Sequence, residues 1–232
     1  MSEETKKRYP TKTLYTCGSN CMKALWLKIN KPEELVYSEE ARGKMSHGTQ
    51  LGQLAWQLFP GGTEIEFVKG EYDRMIAETR ELVESGTSTI YEATFCHDNI
   101  LARVDILHLG DDGWEIHEVK SAHSVKPYHL DDLTVQYYVV AGSGIEVKKA
   151  TLIHVVGTAK CRVKVDAAKL LTISDQTTEV LSRQVAIPAQ AGRMSAVIAE
   201  GEPAIAMGSQ CEKPYGCDFY GYCEGGDNGS KR

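Results

Sequence analysis

Across residues 38–59, His47, Leu51, Leu54 and Leu58 follow one another at spacings of four, three and four. That rhythm predicts one helix with His47 on the same face as three leucines, and so turned inward. Pro60-Gly61-Gly62 ends it. A shorter helix is expected over about 21–28. Another is expected over 72–84, with Met75, Ile76, Thr79, Leu82 and Val83 on its inner stripe and Gly86 at its close. The period then drops to two. Segments 89–96, 100–109 and 114–120 are rich in β-branched and aromatic residues and are separated by turn formers, which predicts a three-stranded meander. A helix over about 130–141, closed by Gly142-Ser143-Gly144, and a strand over 151–156 follow. Beyond them the pattern gives a strand near 161–165 and helical segments over about 174–200, with a break at Pro188.

The turn Gly110-Asp111-Asp112-Gly113 sets the register of the meander. Pairing its two glycines puts Leu109 opposite Trp114, Leu107 opposite Ile116, Asp105 opposite Glu118 and Arg103 opposite Lys120. Directly opposed residues have Cβ atoms roughly 5 Å apart, and like charges there are destabilising unless a cation lies between them. Lys120 follows Glu118 by two and shares its face. Two hard oxygen donors that can hold Mg²⁺ or Mn²⁺, with a lysine able to orient or deprotonate a water, form a set suited to phosphodiester cleavage. A Glu-x-Lys tripeptide on an exposed hairpin would make only ordinary solvated pairs. Here Val104, Ile106 and Val119 flank the acids, which marks an interior position where an unpaired carboxylate is costly. Glu92 in the first strand is either a further acidic ligand or a solvated strand residue, and its context favours the latter. Gln136, on the helix after the third strand, is either an amide serving the site or a partly exposed one.

Composition narrows the setting. With 232 residues, 42% of them hydrophobic, the chain can bury a substantial core, and one elaborated domain is expected. A formal charge of -6 provides no general attraction to nucleic acid, which disfavours a nonspecific DNA coater. No apolar run is long enough to span a bilayer and the first residues lack a signal-peptide core, so a cytoplasmic protein without membrane contact is expected. Seven cysteines in such a compartment favour metal binding over disulfides. Cys211, Cys217 and Cys223 form C-x5-C-x5-C with Tyr215, Phe219 and Tyr222 interleaved, and Cys21 or Cys17 would complete a set of four. The spacing matches neither a zinc ribbon nor a ferredoxin run. Cys96 and Cys161 read as core residues, and the tail at 225–232 as disordered.

The order His47, Asp105, Glu118-Val119-Lys120, Gln136, with one early and three late cysteines, resembles the RecB-like iron–sulfur nucleases of the PD-(D/E)xK class. These include the CRISPR-associated adaptation exonucleases and the AddB-type nucleases. The resemblance spans about Cys21 to Cys223. It implies a single restriction-endonuclease-like α/β domain over 1–232, with a mixed central sheet flanked by helices. The core would lie at about 38–165 and the cluster-binding elements at about 15–30 and 205–224. It further implies His47, Asp105, Glu118 and the Val119 carbonyl as ligands to Mg²⁺ or Mn²⁺, Lys120 as the water-activating group and Gln136 as a DNA- or water-orienting one. Cys21, Cys211, Cys217 and Cys223 would ligate a 4Fe-4S cluster. The family's helix reads Gln-x-x-x-Tyr, whereas position 140 here is Val, and its last cysteine pair is closer than Cys217 and Cys223. The implied activity is a metal-dependent exonuclease acting on single-stranded DNA ends, in company with an integrase or helicase. Two other readings are a non-cleaving subunit that binds DNA ends, and a zinc-stabilised interaction module.

Overall fold

A computed structural model describes residues 11–156 and 166–227, excepting the side chains at 40, 44–46 and 226–227. The expected strand at 161–165, with Cys161, lies outside the described residues. Helices α1 (Lys12–Asn20) and α2 (Met22–Asn30) open the chain. The first was not expected; the Thr11 hydroxyl caps it by accepting from the Leu14 N–H at 3.3 Å. Helix α3 (Glu39–Ala55) starts at Ser38, whose hydroxyl accepts from the Ala41 N–H, and continues as a tight turn to Leu58. Strand β1 (Thr63–Glu64) and helix α4 (Tyr72–Glu84) follow, with Gly86 left-handed at φ +80° beyond the helix end.

The meander comprises β2 (Thr89–His97), β3 (Ile100–Gly110) and β4 (Gly113–Lys120). Asp98 and Asn99, both at positive φ, make the two-residue turn between the first pair, in keeping with the right-handed strand twist. Helix α5 (Pro127–Gly142) begins on a proline, whose missing N–H costs nothing there, and leads into β5 (Val147–Val155). Then come α6 (Ala167–Leu170), β6 (Leu171–Asp175), α7 (Thr177–Arg183), α8 (Ile187–Ala199) and α9 (Tyr220–Asp227). The expected helical stretch from 174 is therefore preceded by a short strand, and Pro188 falls in the first turn of α8, where it starts a helix as it ends the one before. Residues 225–227, expected in a disordered tail, continue α9.

The six strands form one sheet in sequence order. The meander is antiparallel, β1 runs parallel to β2 and β4 parallel to β5, each parallel pair being linked through a helix, and β6 returns antiparallel. The fold is thus α/β, with a mixed sheet between helices. One face buries Ile90, Ala93, Val104, Leu107, Ile116 and Leu152 with Leu133, Val135, Val139 and Val140 of α5. The other buries Tyr91, Ile106 and Ile153 against Ala55 and Phe59 from the end of α3. Two adjacent strands change parity at the same level. On β3, Ala102 and Val104 join the first core but Ile106 joins the second; on β2, Ile90 and Ala93 join the first although three residues apart. Regular alternation forbids both patterns. The irregularities fall at Asp105 and Glu92. Among the described residues no helix is long and apolar enough to cross a membrane.

Candidate functional site

The β2–β3 ladder pairs Tyr91 with Ile106 and Ala93 with Val104, and passes over Glu92 and Asp105 between them. The β3–β4 ladder follows the register expected from the turn, from Gly110–Gly113 to Ile106–His117, and stops there. Its next step would join Asp105 to Glu118. Instead the Asp105 Oδ2 accepts from the Val119 N–H at 2.7 Å, so a side chain takes over from the backbone ladder. Glu92, Asp105 and Glu118 thus stand level on three neighbouring strands. Glu92 holds φ at +59°, a left-handed conformation that a non-glycine residue rarely adopts and that costs on the order of 1 kcal/mol or more. Nor is it a solvated strand residue, as its sequence context suggested. It is half-buried and paired to Arg103 at 3.0 Å, and burial raises its pKa against the pull of that guanidinium.

Glu118 is 3% exposed. Its Oε1 accepts from Lys120 Nζ at 2.6 Å and from Lys12 Nζ at 2.9 Å, and its Oε2 from Gln136 Nε2 at 2.8 Å. Burial alone would push its carboxyl up, but Lys12 and Lys120 outweigh burial and hold it well below the usual carboxylate range. Asp105 goes the other way. Burial, and then the negative charge of Glu118, push its carboxyl up to about 8. Two acids at one site with pKa values driven apart are a pattern common at functional sites. Gln136 is fully buried, and its Oε1 has no hydrogen-bond partner among the described residues. Such an orphaned oxygen beside a carboxylate is an unfilled acceptor position. Lys120 bridges Glu118 and Asp132; burial would lower its pKa, but these two carboxylates hold the ammonium above its ordinary range.

The structure therefore brings together four of the side chains expected here, Asp105, Glu118, Lys120 and Gln136, with the main chain of Val119. The last contributes its N–H to Asp105. His47 is a correction: it is exposed, as are all the other described side chains from 42 to 50, whereas Leu51 and Leu54 begin the covered part of the helix. Helical spacing fixes a face and not how much of its length is covered. Asp132 and Lys12 were missed. Asp132 lies four residues before Gln136, hence on the same helical face, and that spacing could have exposed it. Lys12 gave no local signal, because it reaches Glu118 across 106 positions through the packing of α1 against α5. At the position of the family's tyrosine, Val140 is buried in the core. Tyr138 bonds to Asp98, and Tyr137 to the Val147 carbonyl at 3.4 Å.

The cysteines gather at a second place. Cys21, Cys211, Cys217 and Cys223 line one cavity with Leu27, Met207 and Phe219. Cys17 packs in the same apolar cluster, beside Cys217. Burial raises the thiol pKa of Cys217 and Cys223, and takes Cys17 up to about 11. The cavity measures about 10 Å³, barely room for one water, so a metal group would have to spread its lining. Polar ties also join the first two helices to the segment at 202–222 here. Asn20 donates to the Gln210 carbonyl at 3.0 Å, Lys23 and Lys31 pair with Glu202, and Tyr222 donates to Glu202 at 2.8 Å. Cys96 is half-buried on β2, and its carbonyl accepts from Ser143.

Among the described residues, no three His, Cys, Asp or Glu side chains stand close enough together to hold a single metal ion. In comparisons with known proteins, no family model matches the chain and no curated protein resembles it closely enough to count as a relative.

Proposed function

We propose that this chain is a divalent-metal-dependent deoxyribonuclease with a restriction-endonuclease-like core, acting on single-stranded DNA ends. One observation carries the reading: Asp105 and Glu118, one pushed up and one held down, meet at the edge of an interrupted ladder with Lys120 on their face. The donors are hard oxygens and the Gln136 oxygen stands unfilled, both of which suit Mg²⁺ or Mn²⁺. A bound divalent ion supplies a Lewis acid for the phosphate and lowers the pKa of an attacking water. Asp105, ionised once a cation offsets the charge of Glu118, and Glu118 itself are the anionic donors. Lys120, kept cationic by Glu118 and Asp132, acts as an electrostatic clamp on a phosphate oxygen rather than as a base. Gln136 orients Glu118. His47 has no part in this set unless α3 moves.

The cysteine set, by the same reading, holds a 4Fe-4S cluster on Cys21, Cys211, Cys217 and Cys223 that fastens the C-terminal segment to α2. Four thiols line one cavity, a soft donor set that suits iron or zinc once the lining spreads.

The test is incubation of purified protein with end-labelled single-stranded DNA and Mn²⁺. Cleavage that stops when Lys120→Ala replaces the parent is expected. Tight binding without cleavage would favour an end-binding subunit, and neither binding nor cleavage would remove the nucleic-acid reading.

A further inference from the structure

Beside the carboxylate centre lies a cleft of about 320 Å³, at the small end of the volumes that hold organic ligands. Lys120 and Asp132 are among its lining, so it adjoins the proposed reaction centre. Thr16, Ser19 and Asn20 of α1 line it with short polar groups. Tyr128, at the start of α5, and Tyr215, from the loop between Cys211 and Cys217, complete it. The two rings are 6.1 Å apart at 83° to each other, and Tyr128 also stands edge-on to His129 at 4.5 Å. They form a corner rather than a stacked pair, which leaves ring surface for a third flat group. Both are exposed, at 36% and 48%. The acids nearby are partly offset: Asp131 pairs with Arg183 at 2.8 Å, which it shares with Glu179, and Asp132 pairs with Lys120.

Resting on the nuclease reading, we infer that this cleft is a subsite for one unpaired nucleobase of the DNA strand, stacked in the Tyr128–Tyr215 corner beside the scissile phosphate. An aromatic corner accepts any base, because every base has a π-face, and it excludes a base still paired in a duplex. The subsite would therefore select for strand state and not for sequence. Its aromatic wall hangs from the cysteine loop, which the Cys217 N–H closes onto the Cys211 carbonyl at 2.9 Å.

Fluorescence anisotropy of a labelled thymidine oligonucleotide, at fixed low salt with a chelator present, measures binding apart from cleavage. Tyr215→Ala and Tyr128→Ala should each weaken it by roughly tenfold, whereas Tyr215→Phe should bind like the parent. Affinity for a blunt duplex should change in none of them. Since Tyr215 is about half exposed, its substitution leaves the core intact, and a melting curve checks this. Undiminished oligonucleotide binding by both alanine variants would overturn the proposal. So would a mononucleotide that competes as well as the oligonucleotide, or a matched RNA bound much more tightly than DNA. Tyrosine-dependent binding without any cleavage in Mn²⁺ would keep the subsite and refute the nuclease. Normal cleavage with tyrosine-independent binding would do the reverse.

Discussion

Asp105→Asn should abolish cleavage while leaving the metal-free protein as stable as the parent below about pH 4 and more stable at pH 8. The asparagine Oδ1 can still accept from the Val119 N–H, so the bond that replaces the ladder survives. The native carboxyl is protonated in the folded state up to about pH 8, but ionises near 3.8 once the chain unfolds and it meets water. A group whose folded pKa is raised in this way contributes stability that is complete below the unfolded value and is lost as pH rises through the folded one. The loss falls between about pH 4 and 8. Asparagine does not titrate, so the variant escapes that loss. Its activity cannot escape, because a neutral amide contributes no charge to a divalent cation. Losing about 4 kcal/mol of transition-state stabilisation corresponds to roughly a thousandfold in rate. Melting temperatures across pH, in chelator, and single-turnover cleavage in Mn²⁺ read the two halves. A variant that cleaves normally, or one less stable than the parent at pH 8, would contradict this placement of Asp105.

Cys211→Ser should empty the cysteine site and loosen the C-terminal segment from α2. Cys211 is nearly buried and lines the cavity with the other three thiols. Ligation free energy is folding free energy, and structural zinc sites supply on the order of 10 kcal/mol. Even a third of that would lower the melting temperature of a chain this size by about 10 °C. Cys17→Ser should keep the metal, because Cys17 stands beside this cavity without lining it. Iron and sulfide content of anaerobically purified protein, with melting curves for the parent and both variants, checks this. Zinc in place of iron would favour an interaction module. Full iron content in Cys211→Ser would remove that residue from the set.

Much of this centre was legible from local pattern, because a two-residue hairpin turn propagates its register along both strands. Counting back from Gly110 and Gly113 brings Asp105 level with Glu118, and the two-residue step to Lys120 places the ammonium on the same face. Counting cannot show where a ladder breaks. Regular alternation would have kept Val104 and Ile106 on one face, but they lie on opposite ones, and Glu92 takes up its left-handed φ without the glycine that usually announces such a position. The misplacement of His47 has the same origin: periodicity names a helix face, and only tertiary packing decides which turns of it are covered. Lys12 could be found only once α1 had been docked on α5. Strand β6 was hidden because its five residues have one open edge and expose two of their side chains, so they carry little of the apolar signal a central strand does.

Everything proposed for the carboxylate centre depends on a divalent cation being shared by Asp105 and Glu118. Titrating Mn²⁺ into chelator-treated protein, and following the loss of the free-ion signal by electron paramagnetic resonance, tests it without any substrate. One saturable site should appear in the parent, with proton release as Asp105 ionises, and it should vanish in Asp105→Asn. Equal Mn²⁺ uptake by the parent and the variant, or none by either, would contradict it.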